Sequence, residues 1–198
     1  ETLIGGSQGD TVTITTALSQ ASIDLASGSD SLTLGNFANT ATVSNTESLL
    51  GGTGADAITL GTALTTGTTI DLGAGANTLT LGEFTNTGSV ANVDTLIGST
   101  GADTITFSDA VSAGSINLAG GADKLTFADL ANSATVANVE TIIGGQDNDT
   151  VTLATQASNA SIDLSAGTDK LTLANTVNVA TISNVETLLG GSEADTVT

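Results

Sequence analysis

The feature that most constrains this chain is an internal repeat of about 46–47 residues that runs along its whole length. The hexapeptide ETLIGG, or a close variant, marks each repeat, and its five copies begin at Glu1, Glu47, Asp94, Glu140 and Glu186. Self-similarity at a fixed period is typical of architectures in which each unit packs mainly against its neighbours. We therefore expect one continuous repeat domain over residues 1–198, with units at about 1–46, 47–93, 94–139 and 140–185, a partial unit at 186–198 and no linker.

Each repeat is divided into two unequal halves that align on one mostly acidic position. This position is occupied by Asp10, Asp30, Asp56, Asn77, Asp103, Asp123, Asp149, Asp169 and Asp195. A shorter step, as from Asp10 to Asp30, alternates with a longer step, as from Asp30 to Asp56. Steps of this length suit one coil of a β-solenoid, in which every coil supplies two or three short strands. The spacing therefore predicts one coil per half-repeat of about 20–26 residues.

Strict alternation of apolar and polar residues follows each acidic position, which is the signature of a half-buried strand. The residues expected to point inward are Val12, Leu32, Ile58, Leu79, Ile105, Leu125, Val151, Leu171 and Val197. A second inward column is expected at Ile23, Val43, Ile70, Val90, Ile116, Val136, Ile162 and Ile182. No segment sustains the spacing of a helix. We expect an all-β fold, a right-handed parallel β-solenoid of the β-roll or β-helix type, whose uncapped ends favour end-to-end self-association or continuation into further repeats.

Composition excludes several classes of function. The chain has no Cys, His, Met, Trp, Tyr or Pro, only two basic residues, and 21 carboxylates that give a net charge of −19. Nucleic acids and anionic membrane surfaces require a basic face, so neither is an expected partner, and no apolar run is long enough for membrane insertion. Every carboxylate belongs to a repeated series, whereas an active site breaks such symmetry with unique residues, so we do not expect an enzyme. The expected partners are cations.

One glycine-rich segment carries a recognisable motif. Residues 51–59, GGTGADAIT, match the pattern G-G-x-G-x-D-x-U-x at every position, where U is a large aliphatic residue. Residues 98–106 lack one of the glycines, and weaker versions contain Asp10, Asp149 and Asp195. The motif resembles the repeats-in-toxin family, the haemolysin-type calcium-binding repeats of secreted bacterial proteins.

The resemblance implies a parallel β-roll whose turns bind Ca²⁺ between successive coils, in a secreted or cell-surface protein. The ligands that it implies are Asp10, Asp30, Asp56, Asp103, Asp123, Asp149, Asp169 and Asp195, with the turn glycines Gly54 and Gly101. Glycine permits positive φ and lets carbonyls converge on one point, and Ca²⁺ takes six to eight oxygen ligands. The family motif recurs much more often along its chain, as a nonapeptide. Because the motif here returns only once in each half-repeat, one row of ions on one side is the simpler expectation.

A second interpretation of the same column stays open. Each Asp can accept a hydrogen bond from the backbone of its own turn, as in an Asx-turn, while water and mobile counterions screen the charge. If every half-repeat is one coil, neighbouring carboxylates lie about 4.8 Å apart and repel by roughly 1 kcal/mol in water. A column of this kind favours cation binding.

Threonine is as regular as the acidic position. A ladder of exposed threonines is predicted at Thr13, Thr33, Thr59, Thr80, Thr106, Thr126, Thr152 and Thr172. Such an array resembles the ice-binding face of some antifreeze proteins. The simpler interpretation is that Thr is a favourable solvent-facing strand residue whose side chains pack in ladders. Lys124 and Lys170 interrupt the neighbouring outward row and either neutralise the preceding Asp or are solvated.

Two further columns recur once in each repeat. An asparagine ladder that bonds neighbouring coils is predicted at Asn45, Asn92, Asn138 and Asn184. Asp24, Asp71, Asn117 and Asp163 form an outward column, which is either a minor cation row or a set of solvated side chains.

These observations predict a structural role. We expect a calcium-binding module of a large secreted or surface-attached bacterial protein, such as an adhesin stalk, a surface-layer component or an extracellular filament. Ca²⁺ would neutralise the Asp column after export and make the coils rigid. Two alternatives stay open: a self-assembling filament subunit with no obligatory metal, and an ice-binding solenoid that uses the Thr ladder.

Overall fold

The computed structural model describes residues 1–198 as stacked β-strands joined by short turns, with no helix. Twenty-two strands form two parallel sheets of eleven strands each. The odd-numbered strands form sheet A and the even-numbered strands form sheet B, so each coil contributes one strand to each sheet. The predicted all-β, parallel solenoid is therefore confirmed. No segment forms the kind of long apolar helix that crosses a membrane.

The strands are short, from two to six residues. Sheet A contains β1 (Thr2–Ile4), β3 (Ala21–Asp24), β5 (Thr40–Ser44), β7 (Ala57–Leu60), β9 (Thr78–Thr80), β11 (Thr95–Ser99), β13 (Gly114–Ala119), β15 (Ser133–Ala137), β17 (Thr150–Leu153), β19 (Lys170–Thr172) and β21 (Thr187–Leu189). Sheet B contains β2 (Thr11–Thr13), β4 (Ser31–Thr33), β6 (Ser48–Leu50), β8 (Thr69–Asp71), β10 (Thr87–Ala91), β12 (Thr104–Phe107), β14 (Lys124–Thr126), β16 (Thr141–Ile143), β18 (Ser158–Asp163), β20 (Val179–Ser183) and β22 (Thr196–Val197).

A coil is shorter than the longer half-repeats. Strand pairing between neighbouring coils joins Thr40 to Ala57, Ala21 to Ala41, and Ala57 to Thr78. The number of residues from one paired position to the next equals the length of a shorter half-repeat or is smaller. A shorter half-repeat is therefore one coil, as predicted. A longer half-repeat instead spans three strands, a coil and a half, so the prediction of one coil per half-repeat is wrong for the longer halves.

A complete repeat therefore holds five strands, which is an odd number. Leu3 in β1 and Leu49 in β6 occupy equivalent sequence positions, yet β1 belongs to sheet A and β6 to sheet B. Both sheets need the same alternation of inward apolar and outward polar residues, so the same strand sequence fits either sheet. Equivalent residues one repeat apart consequently lie on opposite sheets, and residues two repeats apart lie on the same sheet.

The core is one continuous cluster of buried aliphatic side chains between the two sheets. The predicted inward columns form it, and the buried members are Ile23, Leu32, Val43, Ile58, Ile70, Leu79, Val90, Ile105, Ile116, Leu125, Val136, Val151, Ile162 and Leu171. Phe107 and Phe127 stack in neighbouring coils with ring centroids 6.2 Å apart. Val12 and Ile182, in the end coils, are only partly buried, and Val197, in the last strand, is exposed rather than inward as predicted.

Candidate functional site: side-chain ladders at the strand entrances

The acidic position of each half-repeat lies directly before the first residue of a strand. Because each repeat has an odd number of strands, these residues do not form one column. Asp10, Asp30, Asp103, Asp123 and Asp195 precede strands of sheet B, whereas Asp56, Asn77, Asp149 and Asp169 precede strands of sheet A. The predicted single row of carboxylates on one side is therefore wrong, because the row is divided into short groups that alternate between the two sheets.

Other polar residues at strand entrances extend these groups. We call each resulting column an entry ladder and name its members by chain order. The five entry ladders are Asp10, Asp30 and Glu47; Asn39, Asp56, Asn77 and Asp94; Asn86, Asp103, Asp123 and Glu140; Asn132, Asp149, Asp169 and Glu186; and Asn178 with Asp195. Each complete ladder thus begins with Asn and ends with an acidic residue.

Side-chain to backbone hydrogen bonds connect successive members of every ladder. The backbone N–H of one member donates to a side-chain oxygen of the next, over N···O distances of 2.6 to 3.0 Å. In the third ladder, for example, Asn86 donates to Asp103, Asp103 to Asp123, and Asp123 to Glu140. An amide buried just before a strand needs an acceptor, and here a side chain of the next coil supplies it.

Four aspartates in the longer half-repeats receive hydrogen bonds on both carboxylate oxygens. These are Asp56, Asp103, Asp149 and Asp195. In Asp149, Oδ1 accepts from the backbone N–H and the Nδ2 of Asn132, at 2.9 and 2.8 Å. Its Oδ2 accepts from the N–H of Gly145 at 2.8 Å. These carboxylates thus accept hydrogen bonds from the backbone, as in the second interpretation of the acidic column. The donors belong to a neighbouring coil as well as to the same turn.

This arrangement does not fit the calcium ligands that the resemblance implies. N–H groups present their positive ends to the carboxylate, whereas Ca²⁺ requires a shell of six to eight oxygens. Gly54 and Gly101 also serve another purpose, because neither has a positive φ. A Cβ on Gly54 would overlap the backbone of Phe37, and a Cβ on Gly101 would overlap the carbonyl group of Phe84. These glycines allow neighbouring coils to approach closely.

Three aspartates in the shorter half-repeats have a different environment. Asp30, Asp123 and Asp169 each accept one backbone N–H on Oδ1, at 2.6, 2.7 and 2.7 Å. The Oδ2 atom of each is buried and has no hydrogen-bond partner. Asn77 holds the equivalent place in the second repeat, where its Nδ2 donates to the carbonyl oxygens of Leu72, Gly73 and Asn92 at 3.3, 3.0 and 3.0 Å.

The contacts of Asn77 show how closely the carbonyl oxygens approach this position. The Asn77 side chain itself fills the equivalent space, in direct contact with the surrounding carbonyl oxygens. A calcium ion must lie about 2.3–2.6 Å from each of its oxygens, in a space of its own between them. Inserting an ion between Oδ2 and the carbonyls would therefore require the turn to open, so these residues do not fit a calcium site either.

The two environments have opposite electrostatic effects. Burial raises the pKa of the Asp123 carboxyl from 3.8 to about 6; the N–H of Asp103 opposes this shift, and the charges of Asp103 and Glu140 add to it. Burial also raises the pKa of Asp169. The hydrogen bond from Asn178, by contrast, holds the pKa of Asp195 below its ordinary value. Hydrogen bonds thus outweigh burial at Asp195, whereas burial outweighs the single N–H donor at Asp123 and at Asp169.

The four asparagines of the predicted ladder each connect two neighbouring coils, but they follow strands of the two sheets alternately and so form no single ladder. Asn45, Asn92, Asn138 and Asn184 have φ between 51° and 55°, and their Nδ2 atoms donate to Oδ1 of Asp24, Asp71, Asn117 and Asp163 at 2.6 to 2.8 Å. The partner is thus a side chain rather than the backbone. The same Oδ1 atoms accept the N–H two residues later, as Asx-turns. Asp24, Asp71, Asn117 and Asp163 are therefore turn residues that lie alternately on the two sheets, so the predicted outward column, which was open to interpretation as a cation row, does not form.

The predicted Thr ladder is not one column, for the same reason as the carboxylates. Strand register places Thr59 with Thr80, Thr106 with Thr126, Thr152 with Thr172, and Thr13 with Thr33 in four separate columns. Each column ends against an outward aliphatic residue, which is Ile97, Ile143, Leu189 or Leu50 respectively. The flat, continuous array on which the ice-binding alternative depends is therefore interrupted. Lys124 and Lys170 are exposed on strands β14 and β19.

The ladder roles of Asn39, Asn86, Asn132 and Asn178 were not expected from the sequence. A signal was present, because these asparagines recur once in each repeat, in phase with the aspartates. Glu47, Asp94, Glu140 and Glu186 were expected only as markers of the repeat, although they recur equally well. Some neighbouring coils are paired over a distance along the chain that is shorter than either half-repeat, as from Thr40 to Ala57. This pairing brings the asparagines and these acidic residues into the same columns as the aspartates, and self-comparison of the sequence does not detect it.

Comparisons with known proteins identify no relative: no family model, no curated protein and no solved structure matches this chain.

Proposed function

We propose that the chain is a structural rod, a stiff spacer segment of a secreted or cell-surface protein such as an adhesin stalk, a surface layer or an extracellular filament. The single observation that carries this proposal is the uniformity of the coil interfaces. The same parallel pairing, apolar core and entry ladders recur along the chain. A molecule whose only elaborated feature is the contact between its own coils is suited to bearing load and setting distance.

The acidic surface supports the same role. The chain carries a net charge of −19, which opposes non-specific aggregation and binding to nucleic acids or anionic membranes. The secreted location rests on the resemblance to haemolysin-type repeats and stays a prediction.

The proposed rod does not depend on calcium. Neighbouring coils are joined by hydrogen bonds to the ladder carboxylates, so the negative charges are compensated by N–H donors in the four aspartates that accept on both oxygens. Of the functions expected from the sequence, the geometry supports best the filament or stalk with no obligatory metal.

A distance measurement between two spin labels tests the rod. The chain has no native cysteine, so Thr11→Cys on β2 and Thr181→Cys on β20 provide the only labelling sites, and both positions are exposed. The two strands are nine steps apart in sheet B, which corresponds to about 43 Å. We expect one narrow distance distribution near that value, allowing for the length of the labels. A broad distribution, such as that of the same chain in denaturant, would contradict the proposal.

End-to-end association of rods stays a second prediction. The core residues Val12 and Ile182 of the end coils are only partly buried, and a further coil, from more repeats or from a second copy, would cover them. Sedimentation at increasing concentration tests association directly. We expect the rods to grow into chains as the concentration rises, and we expect Val12→Lys to abolish this growth. A monomer at every concentration would exclude self-association.

A further inference from the structure

Three of the four aspartates with a buried, unpartnered oxygen occupy positions that the fold has built for a hydrogen-bond donor. Asp30, Asp123 and Asp169 are 2 %, 1 % and 1 % exposed, and the Oδ2 of each is buried without a partner. The other oxygen of each carboxyl is fixed by the backbone N–H of the preceding coil. The side chain therefore cannot turn its unpartnered oxygen toward solvent without breaking an entry ladder.

Asn77 shows what this position requires. It lies one repeat from Asp30 and from Asp123 and makes the same ladder bond, through its Oδ1, to the N–H of Asp56 at 2.9 Å. In place of the unpartnered oxygen it has an NH₂ group, which donates to three backbone carbonyls. A carboxylate has only acceptors to offer at the same point.

The backbone that forms this carbonyl cage is the same in all four repeats. The residues that correspond to Gly73 of the cage are Ala26, Ala119 and Ser165, and all four have φ between 67° and 69°. The residues that correspond to Asn92 are Asn45, Asn138 and Asn184, and all four have φ between 51° and 55°. The backbone thus turns with the same φ at both places whether the residue in the cage is Asn or Asp.

The charges around each cage also disfavour an anion. The groups that face Asp123 in its ladder are the carboxylates of Asp103 and Glu140. Asp30 lies between Asp10 and Glu47, and Asp169 lies between Asp149 and Glu186. Near the same cages, Asp24 and Asp163 each accept a hydrogen bond from the cage asparagine. The nearest cations in sequence are Lys124 and Lys170, which are exposed on the strands that follow.

We propose that Asp30, Asp123 and Asp169 are proton-binding sites, in which a neutral carboxyl donates its Oδ2–H to the cage carbonyls just as the amide of Asn77 does. The raised pKa of Asp123 and Asp169 supports this assignment. The rod therefore contains three buried proton sites in its coil interfaces, and loss of the protons leaves a negative charge against carbonyl oxygens at each one.

The consequence is a stability that falls as the pH rises. An acid whose folded pKa lies above its unfolded pKa binds more protons in the folded state at intermediate pH. The Asp123 carboxyl has a pKa of 3.8 in the unfolded chain. Ionisation of this group therefore does not destabilise the fold below pH 3.8, and its full cost is reached above about pH 6. Asp123 and Asp169 therefore act in the opposite direction to Asp195, whose lowered pKa stabilises the fold as the pH rises.

Replacement of the three aspartates by asparagine tests the proposal, because Asn77 shows that the cage accepts this side chain. The unfolding equilibrium of the wild type and of the triple variant D30N/D123N/D169N is measured by denaturant titration between pH 4 and pH 8, in EDTA. We expect the triple variant to be more stable at pH 7, with Asp123→Asn alone lowering the unfolding constant by about tenfold to a hundredfold. At pH 4 the gain should largely disappear.

The reverse substitution is the matched control. Asn77→Asp creates a fourth site of the same kind, so it should destabilise the chain at pH 7 and have little effect at pH 4. A second readout, the carboxyl carbon resonances, should show a raised pKa for Asp123 and for Asp169, and both titrations should be lost in the triple variant. Equal pH dependence of wild type and triple variant would overturn the proposal. Stabilisation of the wild type, but not of the triple variant, by Na⁺ or Ca²⁺ at pH 7 would also overturn it, because the sites would then hold a metal cation.

Discussion

At the scale of single residues, the carboxylates of this chain act as parts of the backbone hydrogen-bond system. A strand of the solenoid pairs through its own N–H and C=O groups, but the ladder residue just before it donates its N–H to a side chain instead. Asp149 illustrates the solution, since it accepts the N–H of Asn132 from the preceding coil and the N–H of Gly145 from its own turn. The repeated acids are therefore used mainly inside the molecule.

Removing one such carboxylate should cost far more than removing a surface charge. We expect Asp149→Ala to lower the free energy of unfolding by about 2–4 kcal/mol, because it leaves buried N–H groups of two residues without acceptors. Asp129→Ala is the matched control, since Asp129 is exposed, and it should be close to neutral. Urea denaturation of the two variants measures the difference. Equal effects would show that the ladder bond contributes little.

The residue scale is also where the sequence was least informative. Alignment of the half-repeats identified Asp149 as special, but the choice between calcium and backbone bonding depends on which atoms face the carboxylate. Those atoms belong in part to Asn132, in the preceding coil, and nothing in the local sequence around Asp149 indicates that offset. The unpartnered oxygens of Asp30, Asp123 and Asp169 were hidden for the same reason.

At the scale of strands and turns, the structure depends on close contact between the glycine turns of neighbouring coils. Strand positions followed well from the period-2 pattern, because inward residues such as Ile58 and Leu79 are simply the apolar ones. The turns were predicted less well. Gly54 and Gly101 were expected to aim carbonyls with positive φ, whereas their actual constraint is the backbone of the neighbouring coil.

A pair of glycine substitutions tests this account of the turns. A Cβ at Gly101 would overlap the Phe84 carbonyl group, whereas a Cβ at Gly120 would meet nothing within 4 Å. We expect Gly101→Ala to lower the stability by about 1–3 kcal/mol or more, since the backbone of two coils must separate. Gly120→Ala should be tolerated. Thermal unfolding followed by circular dichroism compares the two, and a tolerated Gly101→Ala would contradict close packing as the reason for this glycine.

At the scale of the whole molecule, the odd number of strands in each repeat determines the distribution of every surface feature. Self-comparison of the sequence detected the repeat but assigned two coils to it, whereas the register gives two and a half. The acidic row and the Thr ladder were therefore predicted as continuous columns on one face. Only pairing between strands, which is a property of the folded chain, distributes them over both sheets.

Deletion of one complete repeat tests this geometry. Removing residues 94–139 joins Val93 to Glu140, which is equivalent to Asp94, so the junction recreates native neighbours. We expect a folded rod that is shorter by two and a half coils, about 12 Å, with all later strands moved to the opposite sheet. Small-angle X-ray scattering measures the length. A chain that unfolds, or whose length is unchanged, would contradict the five-strand repeat.

The central claim is that side chains of the chain itself, and not calcium, hold the coils together. The most direct measurement is the thermal unfolding of the intact chain at constant pH, in EDTA and again in millimolar Ca²⁺, by circular dichroism and calorimetry. A site whose dissociation constant is a hundredfold below the free ion concentration would add about 2.7 kcal/mol, so binding to even a few sites would be obvious. We predict the same β-sheet spectrum and the same unfolding midpoint in both conditions. A chain that is unfolded in EDTA and folds when Ca²⁺ is added would contradict the account.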